Sequence, residues 1–287
     1  MAPVILPFRK NQDILYEAGI DEAGRGCLAG RVYTACVILP EELPKEDIKI
    51  WSKIRDSKKI SKVKREELRQ YIETHALSWA VGYAEPDEIE EKNILQATIS
   101  SMHRTISDMS IVPSKLLIDG NYFRPYYYKN KNVDVNKNIE VNKNIQVNKN
   151  IEVKDNNEII PYETVEGGDN KYMNIAAASI LAKTHHDEYV RELIEIEPEL
   201  DIYGWSHNMC YGTKDHIEAI KKNGISIYHR RDFGICCEFN IDKNRKSQDN
   251  DNQTNLTNET NETTEKDKIR VKNTLKNKGH REIIDED

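Results

Sequence analysis

The chain has 287 residues, of which 32% are charged and 38% are hydrophobic, and its formal net charge at pH 7 is -7. No apolar run reaches the ~18 residues that a membrane-spanning helix needs, and the short apolar stretch near the N-terminus precedes the basic residues instead of following them. We therefore expect neither a membrane protein nor a secreted protein, and a cytoplasmic location. A monomer is the expectation for the oligomeric state, although no feature of the sequence determines it.

Strands and helices alternate along the pattern of apolar residues. In chain order, the predicted elements are strands over 15–21 and 31–39, a helix over 62–74, a strand over 77–83, one long helix over 86–106, strands over 114–118 and 162–165, and helices over 172–196 and 213–222. Pro86 suits the first turn of the long helix. The small residues 176–178 suit close packing of a helix on a sheet. The alternation predicts a layered α/β domain with a mixed sheet.

Two segments differ in composition from the rest. Residues 129–158 contain a repeated six-residue unit, Val-Asn-Lys-Asn-Ile-Glu/Gln, and residues 241–287 are rich in Asn, Thr, Glu and Lys with no aromatic side chain. The repeat predicts a low-complexity insert that loops out of a domain, and a short module of repeated strands is the alternative. The polar tail is predicted to be disordered, which leaves residues 1–240 as one domain.

The five cysteines do not follow a disulfide or zinc-binding pattern. Their number is odd, no C-x-x-C pair occurs, and Cys236 and Cys237 are adjacent. A disulfide framework needs an even set, and a structural zinc site needs paired ligands. Reduced thiols are the expectation.

Four acidic residues stand out by their position in the predicted elements. Asp21 and Glu22 end the first strand, Asp119 ends an apolar run, and Asp187 lies on the helix over 172–196. Carboxylates at strand ends beside glycines are where α/β folds place ligand sites. Converging carboxylates repel one another unless cations neutralise them, and oxygen ligands favour Mg²⁺ or Mn²⁺. Two such ions suit phosphodiester hydrolysis, in which one activates water and the other stabilises the leaving oxygen.

Each of these acids also has an ordinary structural explanation. Asp21 and Asp119 suit turns at strand ends. Glu22 suits a solvated loop, and Asp187 suits the charged face of an amphipathic helix. Adjacent strand residues face opposite ways, so Asp21 and Glu22 share a site only if the backbone turns between them.

Two further patterns suit a ligand that carries phosphate. The glycines of Gly24-Arg25-Gly26 allow backbone N–H groups to approach a phosphate or a sugar hydroxyl, although an unliganded tight turn is the alternative. Residues 53–69 hold eight basic side chains and three acidic ones. This basic segment suits phosphate contacts, and a solvated helix face is again the alternative.

Six motifs in this order resemble those of the ribonuclease HII family, the type 2 ribonucleases H. They are AGIDEAGRG (18–26), DSKKIS (56–61), NILQAT (93–98), LLIDGN (116–121), IAAASILAK (175–183) and NMCYGTKDH (208–216). The resemblance implies an RNase H-like catalytic domain in residues 1–240, with a mixed central sheet flanked by helices. It implies endonucleolytic cleavage of RNA in RNA–DNA hybrids, and nicking of duplex DNA on the 5′ side of an embedded ribonucleotide. Both reactions would leave 5′-phosphate and 3′-hydroxyl ends.

The resemblance also implies roles for particular residues. Two divalent ions, Mg²⁺ or Mn²⁺, are expected on Asp21, Glu22, Asp119 and Asp187. The backbone of Gly24, Arg25 and Gly26 is expected to read the ribose 2′-hydroxyl, the group that distinguishes RNA from DNA. Tyr211 is expected to hydrogen bond to the same hydroxyl and to stack on the next deoxyribose. Phosphate-binding or supporting roles are expected for Lys58, Ser179 and Lys183.

The chain departs from the family pattern close to these residues. Cys27 and Arg31 stand where the family commonly has proline, Met209-Cys210 replace Lys-Gly, and His186 replaces an arginine. The changes at Met209 and His186 each remove a cation, which predicts weaker phosphate binding.

Two other functions are compatible with the same motifs. One is a hybrid-binding protein that has lost catalysis, which the presence of all four acids disfavours. The other is a nuclease of the same fold that acts on all-DNA substrates or Holliday junctions. Gly24-Arg25-Gly26 and Tyr211 disfavour that function, because DNA has no 2′-hydroxyl to read.

Overall fold

The computed structural model describes residues 6–11, 13–40, 47–129 and 157–240. Most of the predicted repeat insert and the whole predicted tail, residues 130–156 and 241–287, lie outside the described residues. Their predicted character, and the predicted extent of the domain, therefore stay predictions.

A five-stranded mixed sheet forms the centre of the described chain. The strands are β1 (Glu17–Ala23), β2 (Val32–Ile38), β3 (Ser78–Ala84), β4 (Lys115–Asp119), β5 (Tyr127–Lys129), β6 (Asn157–Ile159) and β7 (Tyr162–Val165). The central sheet has the order β3-β2-β1-β4-β7, while β5 and β6 form a separate antiparallel pair. β2 is antiparallel to β1 and β3, whereas β4 is parallel to β1 and β7. The carboxyl ends of β1, β4 and β7 therefore lie at one edge.

Helices cover both faces of this sheet. They are α1 (Ile48–Trp51), α2 (Lys62–His75), α3 (Pro86–Lys92), α4 (Ile94–Ser107), α5 (Met173–Ile196), α6 (Trp205–Asn208) and α7 (Lys214–Asn223). Across the described ranges, none of them is long and apolar enough to cross a membrane.

The two faces of the sheet are buried by different helices because side chains alternate along each strand. On one face, Val37 packs in a buried cluster with Ile180 of α5. On the other face, Ile20 packs in a cluster with Met102 of α4. The resulting helix–sheet–helix arrangement confirms the predicted α/β fold with a mixed central sheet.

Helix α5 packs directly on β1 at Gly19. A Cβ atom at this position would lie 2.2 Å from the backbone carbon of Asn174, so any larger residue would separate the two elements. The predicted small-residue stretch, Ala176, Ala177 and Ala178, is fully buried just beyond this contact. The helix is thereby held directly against the strand that carries Asp21.

The single helix predicted over 86–106 is wrong, because the chain breaks at Asn93 into α3 and α4. Asn93 has a φ of +66° and a ψ of 162°, a backbone conformation that residues with a Cβ atom rarely adopt. Its side-chain oxygen accepts a 3.1 Å hydrogen bond from the N–H of Gln96, which caps α4. The apolar periodicity continues across the break, so it conceals the change of helix.

The β5–β6 hairpin lies on the α4 side of the sheet. Phe123 and Ile160, which flank the hairpin, share a buried cluster with Met102 of α4. The first residue of the predicted insert, Lys129, pairs with Asn157 near its end. The described ends of the insert therefore meet on the face opposite to α5.

Candidate active site

Two carboxylates lie side by side at the carboxyl edge of the sheet. Ile20 of β1 pairs with Ile118 of the parallel strand β4, so Asp21 and Asp119 follow one residue later on neighbouring strands. Ile20 and Ile118 pack on the α4 side. Because strand side chains alternate, Asp21 and Asp119 both belong to the α5 side.

The environment of these two acids disfavours their ionised forms. Asp21 is 5% exposed. Burial raises the pKa of Asp21 well above its ordinary value, and the charges of Glu22 and Asp119 raise it further, against a hydrogen bond from Ser179. The pKa of Asp119 is raised by burial and by the charge of Glu22, although the N–H of Gly168 partly offsets this. Negative charge is therefore concentrated at this edge.

Glu22 acts electrostatically on the same site without the backbone turn that the sequence analysis required. Strand β1 continues to Ala23, and Glu22 pairs with Thr34 inside the ladder. Its charge still raises the pKa of both Asp21 and Asp119, in addition to the effect of burial, so it adds to the negative charge at this edge. The side chain also accepts a 2.8 Å hydrogen bond from Arg25.

A carboxylate that sequence analysis did not single out, Asp169, joins this group. It lies in a short helical turn after β7 and is 7% exposed. Burial raises the pKa of Asp169, and the charges of Asp119 and Asp56 raise it further. The signal was present in the sequence, since Gly167-Gly168-Asp169 closely follows a predicted strand in the way that Asp119 ends another.

Asp187 has a different electrostatic environment. Lys183 Nζ lies 2.7 Å from its Oδ1 and Arg65 Nη2 lies 3.5 Å from its Oδ2. His186 Nδ1 is 3.2 Å from Oδ1. Burial tends to raise the pKa of Asp187, but the hydrogen bond from His186 and the charge of Lys183 outweigh it and leave the pKa lowered. Cations of the chain itself therefore lie against Asp187, and its environment differs from that of Asp21 and Asp119.

The acidic group fits a divalent cation by its chemistry. Among the described residues, no three His, Cys, Asp or Glu side chains are close enough together to enclose a metal ion. The raised pKa values of Asp21, Asp119 and Asp169 nevertheless mark repulsion that a cation would relieve. An all-oxygen set of this kind suits Mg²⁺ or Mn²⁺.

Helix α5 connects the acidic group to Tyr211. Its residues Ser179, Lys183 and Asp187 are spaced by four and share one face. Ser179 hydrogen bonds to Asp21. Lys183 Nζ, which pairs with Asp187, also lies 4.9 Å from the centre of the Tyr211 ring. The three α5 residues expected at the site therefore do lie together.

Gly24-Arg25-Gly26 forms a tight turn directly after β1. The N–H of Cys27 donates a 3.2 Å hydrogen bond to the carbonyl oxygen of Gly24, which closes the turn. Gly24 has a φ of +85°, and a Cβ atom there would lie 2.6 Å from the His186 ring. Gly26 is exposed, and a Cβ atom there would meet nothing within 4 Å. The turn is closely packed on its inner side and open on its outer side.

Tyr211 packs against this turn. Its backbone forms an isolated bridge with Cys27, and its hydroxyl hydrogen bonds to the backbone of Gly24. Burial raises the pKa of Tyr211, so the side chain remains a neutral phenol at physiological pH. A neutral phenol both donates and accepts hydrogen bonds, as recognition of a sugar hydroxyl requires.

Buried histidines support the Tyr211 loop from behind. His216 Nδ1 lies 3.0 Å from the carbonyl oxygen of Tyr211, and the indole N–H of Trp205 donates to His216 Nε2 at 3.1 Å. His229 Nε2 lies 3.1 Å from the same Nε2 atom. The N–H of Ser226 donates to His229 Nδ1 at 2.9 Å. Burial lowers the pKa of His229 to about 3, so the chain of neutral rings is stable at physiological pH.

The basic segment divides into two parts with different partners. Arg65 pairs with Asp187, and Arg69 pairs with Glu73 and Glu188. These two arginines are therefore engaged within the protein. The exposed basic residues are Lys53, Arg55, Lys58, Lys59 and Lys62. Lys58 is close enough to Asp119 and Asp169 for its charge to act on both carboxylates, so it lies beside the acidic group as expected.

His186, which stands where the family pattern has an arginine, is enclosed by other side chains. The imidazole is fully buried, with Nδ1 towards Asp187 and Nε2 3.5 Å from Cys27 Sγ. Burial lowers the pKa of His186. The residue is a neutral packing element between α5 and the glycine turn, so it supplies no cation to a substrate.

Comparisons with known proteins point to one family. The family model described as Ribonuclease HII matches residues 18–236. A ribonuclease HII of Parabacteroides distasonis is 43% identical over 235 residues, which cover 82% of this chain and 97% of that protein. A ribonuclease HII of Bacteroides thetaiotaomicron is 43% identical over 232 residues, which cover 81% and 95%. The crystal structure of ribonuclease H2 from Pyrococcus horikoshii OT3 has a TM-score of 0.57 at 19% identity, covering 80% of this chain and 99% of that chain, and so supports the fold.

Proposed function

Because the chain belongs to the ribonuclease HII family, we propose that it hydrolyses the RNA strand of RNA–DNA hybrids and nicks duplex DNA on the 5′ side of embedded ribonucleotides. Both reactions would leave 5′-phosphate and 3′-hydroxyl ends. Membership of the family supports a nuclease with RNase H activity, and the finer substrate assignment rests on the site. We also propose that the enzyme acts as a monomer in the cytoplasm.

The observation that carries this proposal is the position of the glycine turn relative to the acids. Gly24 follows Asp21 by three residues, which is about 10 Å of extended chain. The open side of the turn at Gly26 and the hydroxyl of Tyr211 therefore lie within one or two nucleotides of the carboxylates. A group that recognises a 2′-hydroxyl beside a hydrolytic centre is what selection of a ribonucleotide requires.

The proposed metal ligands are the four carboxylates of the acidic group. Asp21, Glu22, Asp119 and Asp169 would hold two Mg²⁺ or Mn²⁺ ions. Such ions, when bound, supply an activated water and stabilise the charge on the leaving oxygen. Asp187, the fourth ligand implied by the family resemblance, is instead proposed to hold Lys183 in place through their 2.7 Å ion pair.

The protein's own groups orient these carboxylates. Ser179 hydrogen bonds to Asp21, and the N–H of Gly168 donates a 2.7 Å bond to Asp119 Oδ1. Each of these two carboxylates therefore keeps a fixed orientation before a substrate arrives. Lys58 acts electrostatically on Asp119, and Lys183 lies over the Tyr211 ring; we propose that these two cations contact substrate phosphates.

A labelled DNA duplex that carries one ribonucleotide tests the proposal. The protein is incubated with it in Mg²⁺ and separately in Mn²⁺, beside an all-DNA duplex, an RNA–DNA hybrid and an Asp21→Asn variant. We expect nicking on the 5′ side of the ribonucleotide and cleavage of the hybrid, with neither seen for all-DNA or for the variant. Cleavage of the hybrid alone would reject the single-ribonucleotide activity. Binding of the hybrid without any cleavage would identify a binding protein.

A further inference from the structure

Arg230 is a buried arginine whose side chain hydrogen bonds to the loop between β1 and β2. It is 1% exposed. Its guanidinium donates three hydrogen bonds of 3.0 Å, from Nη1 to the carbonyl oxygen of Arg25, from Nε to that of Gly30 and from Nη2 to that of Arg31. Its backbone N–H donates a fourth, of 2.8 Å, to Leu28. One residue near the end of the described chain therefore organises a loop 200 residues earlier.

Carbonyl oxygens, and not a carboxylate, compensate the buried charge. Within the described ranges, no ion pair joins Arg230 to an acidic residue. An arginine removed from water is costly unless its N–H groups find other acceptors. The planar fork of Arg230 satisfies this need with three carbonyl groups that are held in fixed directions.

The bond to Arg25 also determines the direction of the next N–H group. The carbonyl of Arg25 and the N–H of Gly26 belong to one peptide unit, and the described chain has no cis peptide bonds. In a trans peptide these two groups point in opposite directions. Since the Arg25 carbonyl points at Arg230, the Gly26 N–H points away from it.

The Gly26 N–H has no acceptor among the described residues, and its surroundings are open. The backbone hydrogen bond that closes the turn uses the N–H of Cys27 and leaves that of Gly26 available. Gly26 itself is exposed, with free space where a Cβ atom would be. An oriented, unpaired donor on an open surface is suited to a ligand oxygen.

We propose that Arg230 is a positioning residue for substrate selection, which holds the Arg25–Gly26 peptide so that the Gly26 N–H is directed at the ribose 2′-oxygen. This inference rests on the proposed function, because it assumes that the glycine turn reads that oxygen. Arg230 itself does not contact the substrate. Arg230 acts on substrate selection by fixing the direction of the Gly26 N–H group.

The test is an Arg230→Lys variant, which keeps the positive charge but loses the planar fork with its three fixed donors. Binding is measured in Ca²⁺, to prevent turnover, for a duplex with one ribonucleotide and for the same duplex with deoxyribose at that position. The ratio of the two affinities reports recognition of the 2′-oxygen alone. We expect Arg230→Lys to reduce this ratio by about tenfold, the value of one hydrogen bond, while affinity for the all-deoxy duplex stays unchanged.

Arg231→Lys is the matched control, since it makes the same substitution one residue further along and is expected to keep the wild-type ratio. A folded Arg230→Lys protein with the wild-type ratio would overturn the inference. If wild type itself binds both duplexes equally, the proposed reading of the 2′-hydroxyl is what fails. If wild type discriminates but Arg230→Lys does so equally well, only the role of Arg230 is rejected.

A second measurement, made on the wild-type protein, tests the inference if Arg230→Lys does not fold. The amide resonance of Gly26 is followed by NMR while each of the two duplexes is added in Ca²⁺. We expect a larger shift of this resonance with the ribonucleotide duplex than with the deoxy duplex. Equal shifts would show that the Gly26 N–H does not meet the 2′-oxygen, and would overturn the inference.

Discussion

The backbone N–H of Gly168 donates a 2.7 Å hydrogen bond to the Oδ1 atom of Asp119. This bond joins the turn after β7 to the end of β4, and it brings the next residue, Asp169, to the edge where Asp21 lies. The same edge therefore holds three carboxylates. Asp21 and Asp119 lie on the neighbouring parallel strands β1 and β4, and Asp169 lies in the turn after β7. Which carboxylates belong to this acidic group determines which substitutions should affect metal binding.

Asp169→Asn and Asp187→Asn should have different effects on metal dependence. Asp169→Asn removes a charge from the proposed ligands, so we expect it to raise the Mg²⁺ concentration for half-maximal nicking by about 10–100-fold. Asp187→Asn removes a charge that Lys183 already neutralises, so the Mg²⁺ dependence should stay near that of wild type. Initial rates over a Mg²⁺ series measure both. The reverse order would return Asp187 to the ligand set.

Asp21→Asn should abolish nicking and stabilise the metal-free protein. We expect a loss of activity on the order of 10³-fold or more, because several kcal/mol of charge stabilisation disappear. The folded state raises the pKa of Asp21, so above that pKa the ionised carboxylate opposes folding. As the pH falls through the raised pKa towards 3.8, this unfavourable contribution disappears, so in EDTA the stability difference between Asp21→Asn and wild type should shrink.

Melting temperatures at pH 7 in EDTA and in Mg²⁺ check the second part of this prediction. Asp21→Asn should melt a few degrees above wild type in EDTA, and Mg²⁺ should raise the melting temperature of wild type more than that of the variant. Glu199→Gln, at an exposed position, is the control for loss of one negative charge. A metal-free variant less stable than wild type would contradict the unfavourable environment of Asp21.

Gly24→Ala and Gly26→Ala should separate stability from binding. An alanine at position 24 would have to keep the φ of +85° that Gly24 adopts, and its Cβ atom would lie 2.6 Å from the His186 ring. We therefore expect Gly24→Ala to lower the unfolding free energy by about 1–3 kcal/mol. Alanine at position 26 meets open space and should change the stability by less than about 0.5 kcal/mol. Its methyl group should still weaken binding of the ribonucleotide duplex. Urea unfolding and duplex binding measure the two effects, and unimpaired binding by Gly26→Ala would reject the glycine turn as a contact surface.

Tyr211→Phe should affect a lone ribonucleotide more than a long RNA tract. The substitution keeps the ring beside Lys183 but removes the hydroxyl that lies against Gly24. Nicking at a single ribonucleotide depends on that one recognition event, whereas a tract offers many registers. We expect the ratio of the two kcat/KM values to fall by about tenfold, the value of one hydrogen bond. Equal losses on both substrates would leave Tyr211 with a structural role only.

Stability should fall with pH below the ordinary pKa of histidine. The pKa of His229 is lowered to about 3 by burial and by His216, so between pH 6.5 and 3 the unfolded state binds a proton that the folded state does not. Each such proton costs up to about 1.4 kcal/mol of stability per pH unit. Unfolding free energies between pH 6.5 and 5 should therefore decline more steeply in wild type than in His229→Gln. His207→Gln, at an exposed site, should keep the wild-type slope; an unchanged slope in His229→Gln would contradict the neutral histidine chain.

Local patterns were sufficient to predict the sheet and the first acids. Apolar runs mark the strands, and Asp21 and Asp119 follow such runs directly, so their shared edge follows from parallel pairing of β1 and β4. The break at Asn93 was missed because the apolar spacing of α3 continues into α4. The positive φ and the capping bond of Asn93 are properties that a spacing pattern does not contain.

Apart from Asp169, the missed features of the site depend on distant contacts. Arg230 acts on carbonyl groups 199 to 205 residues away in the chain, and no window of sequence joins them. The charge environment of Asp187 depends on Arg65 from another helix as well as on Lys183 nearby. Whether a carboxylate is neutralised within the protein or left for a cation is thus decided by tertiary packing, which residue type and spacing do not reveal.

The β5–β6 hairpin has a genetic consequence. Because Lys129 and Asn157 are held opposite each other, the segment that joins them begins and ends at one point of the fold. For the low-complexity insert that the sequence predicts between these ends, added length costs little, about 0.6 kcal/mol per doubling. Gains and losses of the six-residue unit, of the kind that strand slippage produces during DNA replication, can therefore accumulate without displacing Asp119. Repeat number at this position should behave as a neutral length polymorphism among close relatives, and the same position should accept a genetically inserted tag.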